Sequence, residues 1–271
     1  MVGTPRSEPF FTPDGDQLVP ARHADSPWSP DMVHGRLFGG LLARALEREH
    51  SDPELHFSRL TVDLFRNTRL VPVQVQTRRV RDGRRIRVAD ATVYAGDEPV
   101  ARASAVLLRR GEQPSGTAPA TSAWDAPTPG ELGAPRADPS SWVPPFDVWL
   151  LDEDGKPTEG WQASGPRRAW VRDRCDLVAG EPMSPLVRVA LAGDFASPLV
   201  NFGAHGVLEF INADYTLTLS RLPRGEVIGV EATGQLSADG IAAGSCTFHD
   251  DEGPIGFSTL TAVANPAATK H

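Results

Sequence analysis

The sequence predicts an α+β protein built as two tandem antiparallel sheets, each wrapped around a central helix. The first observation behind this is a repeat. Residues 60–66 read LTVDLFR and lead into strand-like stretches at 71–83, 84–100 and 101–108, and residues 213–221 (ADYTLTLSR) lead into 226–240, 241–255 and 256–263. Self-similarity over so long a period points to two copies of one structural unit. The second is shared punctuation. Arg66 and Arg221 close the first strand of each copy, Asp82-Gly83 and Asp239-Gly240 make the next turn, and Gly83 to Gly96 and Gly240 to Gly253 are both 13 residues apart. The third is that a helical pattern precedes the strands in both halves.

In the first half, Leu37, Phe38, Leu41, Leu42, Ala45 and Leu46 recur at helical spacing, with Arg44, Glu47 and Arg48 on the other face. Gly39 and Gly40 interrupt that helix at about 1 kcal/mol each relative to alanine, which suggests close approach of another backbone or of a ligand. The strand after it alternates Leu60, Val62 and Leu64 against Arg59, Thr61 and Asp63. Short turns then join three more strands, and Asp82-Gly83 is a hairpin signal. In the second half, Ser184 is suited to cap a helix and Pro185 to begin it, while Leu186, Val189 and Ala190 form its apolar stripe. Gly193 is expected to end this helix, leaving Asp194 at its C-terminal end. Tyr215, Leu217 and Leu219 then face one way along a strand, opposite Asp214, Thr216 and Thr218.

An antiparallel meander around one helix is the hotdog architecture, and two in tandem make a double hotdog. Pairing two such units closes the sheet edge that one would leave open. The expected division is an N-terminal hotdog at 1–110, a linker rich in Pro, Gly, Ser and Ala at 111–145, and a C-terminal hotdog at 146–271. Composition makes the linker a solvated tether. Trp124, Trp142 and Trp149 argue that parts of it lie across the sheet, with a strand near 146–151 turning at Asp154-Gly155.

Composition excludes several classes of function. A 40% apolar and 23% charged chain is that of a globular protein. No apolar run is long enough to span a membrane. The opening residues lack the layout of a signal peptide, so a cytoplasmic location is expected. Cys175 and Cys246 then read as reduced, buried thiols. A net charge of −8 with no basic face excludes a nucleic-acid partner. No G-x-S-x-G elbow, phosphate-binding loop or dinucleotide fingerprint stands in the required context. The seven histidines are scattered away from cysteine and carboxylate at ligand spacing, so no metal is expected.

Several segments resemble the double-hotdog acyl-CoA thioesterases of the actinobacterial branch. They are SPDMVHGRLFGGLLARALE (29–47), RLTVDLFR with RDGRRIRVADATV, VAGEPMSPLVRVALAGDF (178–195), INADYTLTLSRLPRGE (211–226) and DGIAAGSCTFHDDEGPIG (239–256). The resemblance spans both halves outside residues 110–145. It implies hydrolysis of an acyl-CoA or acyl-carrier thioester by a water that an Asp, a small polar residue and often a Gln hold, with no cofactor. The Asp falls on Asp194 and the small polar residue on Asn212. A carboxylate at a helix C-terminus meets the negative end of the dipole, which would raise its pKa toward that of a general base. Its alternative role is to anchor a turn after Gly193, and Asn212 could equally begin a strand after a turn.

The expected Gln position falls on Leu260 or, one residue on, Thr261; the strand GFSTLTAV holds no Gln, and Thr261 alone could hold water. Gly39 and Gly40 are candidates to receive the oxyanion through backbone N–H groups, or to allow close helix packing. His34 is a candidate substrate contact or a helix-start hydrogen-bonder, and Phe38 and Leu42 are candidates to line the acyl tunnel. Arg66 and Arg221 could touch the phosphates of CoA or be ordinary strand-end arginines. The other reactions open to such a fold are a dehydratase-like tailoring step or plain acyl binding. A homodimer is expected from exposed sheet edges.

Overall fold

The computed structural model describes residues 8–116, 119–135, 145–152, 154–158, 160–161, 167–203 and 208–265. Two short pairs come first, β1 (Phe11–Asp14) with β2 (Gln17–Pro20) and β3 (Asp25–Ser26) with β4 (Ser29–Val33). Helix α1 (Gly35–His50) then leads into a meander of β5 (Leu55–Leu64), β6 (Gln74–Asp82), β7 (Ile86–Ala95) and β8 (Glu98–Arg109). The short helix α2 (Pro129–Leu132) and strands β9 (Phe146–Leu151) and β10 (Arg168–Asp173) intervene. The order then repeats as α3 (Pro185–Asn201), β11 (Phe210–Asn212), β12 (Asp214–Leu219), β13 (Ile228–Ala238), β14 (Ile241–Asp250) and β15 (Gly253–Ala264). The chain is a double hotdog.

Its two sheets join edge to edge into one of 11 strands, through antiparallel pairing of β5 with β12. Thr61 stands opposite Thr216, their hydroxyls 3.1 Å apart, and Leu60–Leu217 and Val62–Tyr215 flank them. Thr61 and Thr216 are 155 residues apart, as are Arg66 and Arg221, so each flanking pair maps onto the other. The sequence repeat is thus a local two-fold axis running between the two threonines. Each half supplies the strand that covers the other's edge.

The inner face of the sheet carries α1 and α3, which pack against each other. Small residues set that approach. A Cβ on Gly40 would come within 2.7 Å of Leu191, and one on Gly39 would overlap the Tyr215 hydroxyl. A Cβ on Gly193 would lie 2.6 Å from the ring of the same tyrosine. Tyr215 is fully buried between the helices and donates to the Ala190 carbonyl at 2.8 Å.

This corrects the expected end of the second helix. Ser184 does cap it, its Oγ accepting from the Val187 N–H at 3.2 Å, and Pro185 does begin it. The helix nonetheless runs through Gly193 to Asn201. Gly193 makes room for Tyr215 rather than stopping the helix, and Phe195, Ala196, Leu199 and Val200 continue the buried face. Pro198 lies within the helix and has no N–H for the carbonyl one turn back, that of Asp194.

The segment between the repeats lies on the outer face of the second sheet where it is described. Trp124 stacks on Trp170 at 4.7 Å and on His249 at 5.0 Å, over a place that Gly229 leaves free of a Cβ. Trp170 donates to the Pro127 carbonyl and Trp149 to that of Gly133, both at 2.9 Å. Trp149 belongs to β9, which turns at Gly155 (φ +75°). Trp142 lies outside the described residues. Cys175 and Cys246 are both free and buried.

Candidate active site

Three elements converge on one carboxylate. Helix α3 carries Asp194 at its middle, strand β11 ends at Asn212, and the N-terminus of α1 presents His34, Gly35 and Arg36. The Asn212 side-chain amide donates to Asp194 Oδ1 at 2.8 Å. A Cβ on Gly35 would press on Leu64 at 3.2 Å and stand 3.9 Å from the same oxygen, so the start of α1 lies directly beside the carboxylate.

Asp194 is only 7% exposed. Burial raises its pKa, and the Asn212 hydrogen bond and the charge of Arg36 pull it partly back. The expected helix-dipole cause does not apply, since the carboxylate is two turns from the helix end and the dipole acts within the last turn. The same direction of shift has a different origin.

His34 caps α1, its Nδ1 accepting from the Arg36 N–H at 3.3 Å. That nitrogen also stands 3.8 Å from Asp194 Oδ2. Burial, and then the charge of Arg36, lower its pKa to about 3. The imidazole is therefore neutral at physiological pH, and its contact with Asp194 is not an ion pair. Tyr215 is likewise no proton donor near neutrality, because burial and the negative charge of Asp194 push its pKa far up.

Thr261 does not belong to this group. Its hydroxyl donates to Asp214 Oδ2 at 2.7 Å and its N–H to Oδ1 at 2.9 Å. Those bonds lie on the outer face of β15, whereas the alternate residues Leu260 and Ala262 point inward. The residue paired with Asn212 across the ladder is Ala262, which has no polar group. Phe38 and Leu42 are buried in the core along α1. Gly39 and Gly40 are the fifth and sixth residues of that helix, so their N–H groups serve its own ladder, and the clearance of Tyr215 and Leu191 accounts for both glycines.

Arg66 and Arg221 both hold the second hairpin of their own repeat. Arg66 pairs with Glu98 at 2.7 Å, and Arg221 grips Asp250 at 2.5 and 2.6 Å and the Gly253 carbonyl at 3.1 Å. Asp63 is held by Arg102 at 2.7 Å.

One neighbour of Asp194 escaped the sequence reading. Arg36 is 5% exposed, its guanidinium 4.3 Å over the Phe146 ring with Nη2 donating to Asp173 Oδ1 at 2.5 Å. Its Nη1 is buried with no hydrogen-bond partner among the described residues, an arrangement that costs about 1–3 kcal/mol or more for a charged group. The available signal was an arginine inside the otherwise apolar and glycine-rich start of a helix (HGRLFGG).

The internal two-fold does not reproduce the site. Asp194 lies ten residues beyond the cap Ser184, and Arg44 lies ten beyond the cap His34. Arg44 is clamped by Glu181 at 2.6 and 2.5 Å, beside a cavity of about 260 Å³ whose walls include Glu47, Met183 and Val187. The ion pair shares that cavity with a carboxylate, Glu47, whose pKa burial raises and a hydrogen bond with Ser184 partly lowers. Among the described residues, no cluster of three or more side chains is arranged to hold a metal ion.

The chain matches two family models, the acyl-CoA thioesterase N-terminal domain over residues 24–108 and the acyl-CoA thioesterase C-terminal domain over residues 117–264. It belongs to the acyl-CoA thioesterase family. Among solved structures, it is similar to a conserved hotdog-fold protein of unknown function from Alicyclobacillus acidocaldarius (17% identity, TM-score 0.70, 94% of this chain and 95% of that one). It is also similar to the tesB protein of Mycobacterium avium subspecies paratuberculosis (14%, 0.67, 94% and 96%). A third is the acyl-CoA thioesterase II TesB2 of Mycobacterium marinum (15%, 0.60, 85% and 88%). At these identities the likeness is one of fold. No curated protein matches the chain, and no helix of the described residues is long and apolar enough to cross a membrane.

Proposed function

We propose that this chain hydrolyses the thioester of an acyl-CoA, or of an acyl group on a carrier protein, with a water activated by Asp194. The observation that carries this is the 2.8 Å hydrogen bond from Asn212 to Asp194, made at a buried carboxylate beside the start of α1. Asn212 holds one oxygen and leaves Oδ2 to face the water. A raised pKa makes that carboxylate a stronger base than a solvated one.

In this reading Asp194 takes a proton as the water oxygen attacks the thioester carbon. The carbonyl pair moves onto oxygen and is stabilised at the N-terminal end of α1, at Gly35 rather than at Gly39 and Gly40. The carbonyl then re-forms, the C–S bond breaks, and the thiolate receives the proton from Asp194. The products are a carboxylic acid and free thiol. His34 contributes a neutral contact for the substrate, and Phe38 and Leu42 shape the apolar core beside it. No cofactor takes part in these steps.

Free thiol released from an acyl-CoA panel, by wild type and Asp194→Asn, tests the reading. Turnover that disappears in the variant supports it; equal turnover removes Asp194 as the base. A second reading is favoured by one observation, the absence of a third polar group opposite Asn212, where Ala262 stands. That reading is a tailoring step or acyl binding, in which the acyl group is altered or held without thiol release.

A homodimer fits the outer face of the second sheet, where Leu236, Ile241 and Val263 are 77%, 56% and 47% exposed. A mass by light scattering near that of one 29.1 kDa chain would reject it.

A further inference from the structure

Arg36 is placed beside Asp194 by two routes. Its backbone N–H meets His34 Nδ1, which stands 3.8 Å from Asp194 Oδ2. Its guanidinium lies over Phe146, whose ring meets edge-on, at 6.1 Å, that of Phe195, the residue after Asp194. An arginine that serves only to hold a buried carboxylate usually offers two parallel N–H bonds. Here Asp173 engages Nη2 alone, and Nη1 is buried with no partner among the described residues. Guanidinium is a donor only, and always charged, so the group that completes Nη1 must be an acceptor.

We propose that Arg36 reads the acyl group, and that the preferred substrate carries an uncharged keto or hydroxyl oxygen close to its thioester which accepts from Arg36 Nη1. This rests on Asp194 as the reacting centre. The oxygen is near the thioester because the guanidinium, over Phe146, lies close enough for its charge to act on both His34 and Asp194. It is uncharged because the positive charge of Arg36 is already met by Asp173, and Asp194 adds a second negative charge when ionised. A substrate carboxylate would bring a third into a buried site.

The test uses the full chain and length-matched substrates: hexanoyl-CoA, 3-oxohexanoyl-CoA, 3-hydroxyhexanoyl-CoA and glutaryl-CoA. Thiol release gives kcat/KM for wild type, for Arg36→Lys, which keeps a charge for Asp173 but loses the second arm, and for Arg36→Met with Asp173→Asn, which removes both charges together. Wild type should favour an oxygenated chain over hexanoyl by about tenfold or more, with glutaryl poorest, because a site built to hydrogen-bond an oxygen rejects the analogue lacking it. Both variants should lower that ratio about tenfold. An equal rate on plain and oxygenated chains in wild type, or a ratio unmoved in Arg36→Lys, overturns the proposal. If no substrate releases thiol, the hydrolase reading fails separately. Calorimetric affinities for thioether analogues of the plain and 3-oxo substrates then decide, and equal affinities reject the role of Arg36.

Discussion

The phenol of Tyr215 donates to the Ala190 carbonyl, one helical turn ahead of Asp194, and its ring fills the space left by two glycines on facing helices. A strand of the sheet thereby sets where α3, and the carboxylate it carries, stands relative to α1.

Gly39→Ala should disturb that arrangement directly, since its Cβ would overlap the Tyr215 hydroxyl. Overpacking of this kind costs about 1–3 kcal/mol. Tyr215→Phe should cost about 1 kcal/mol for the lost hydrogen bond. The double variant should be more stable than the sum of the two predicts, because removing the hydroxyl removes the overlap. Denaturant unfolding of all four proteins measures the coupling, and strict additivity would contradict the packing role.

Asp194→Asn should raise stability while lowering thiol release by about 10²–10⁴-fold. Burial raises the carboxyl's pKa above 3.8, so ionising it opposes folding. The native contribution of this group is greatest below pH 3.8 and declines as pH rises through the raised value. The gain in Tm from Asn should be clear at pH 7 and should vanish near pH 4. A gain of the same size at both would place its origin elsewhere.

Asn212→Ala removes a hydrogen bond that lowers the pKa of Asp194. The acid limb of the kcat/KM profile should move upward in pH, with the plateau about tenfold lower or more. His34 is not the source of that limb, because burial keeps it neutral down to about pH 3. In His34→Gln the limb should stay in place, and its loss would assign it to the histidine.

The two repeat arginines should differ in worth. The Asp250 side chain is fully buried against Arg221, and Glu98 is exposed against Arg66. Asp250→Ala should destabilise by about 3–5 kcal/mol, and Glu98→Ala by less than about 1 kcal/mol. Burial opposes ionisation of Asp250, but Arg221 and the N–H groups of Arg224 and Glu252 outweigh it and hold the pKa below 3.8. Its contribution is therefore present above pH 3.8 and fades as pH falls through the lowered value. Acid unfolding of wild type and Asp250→Asn should differ at pH 6 and converge in strong acid.

Much of the architecture was legible in the residues because it is periodic. Alternation in Leu60–Leu64 and Tyr215–Leu219 marked the inward faces, Ser184-Pro185 marked a helix start, and the 155-residue offset became the two-fold at Thr61 and Thr216. Spacing misled where a residue had two physical uses. Gly193 read as a helix stop, although its missing side chain is needed for Tyr215, a contact between distant segments. The family resemblance put the water-holding position on Leu260 or, one residue on, Thr261; strand alternation turns Leu260 inward and Thr261 to the outer face, into the hold of Asp214.

By itself the sequence determined the double hotdog and its two repeats, since hydrophobic period, turn residues and repeat order are local properties of the chain, while Asp194 and Asn212 became candidates through the family resemblance. Tertiary structure alone decided that burial, not a helix end, raises the Asp194 pKa, that Arg44 is held in an ion pair with Glu181, and that Arg36 presents a donor with no partner among the described residues. Burial and hydrogen-bond satisfaction depend on segments far apart in sequence meeting in space, and no local pattern records that meeting.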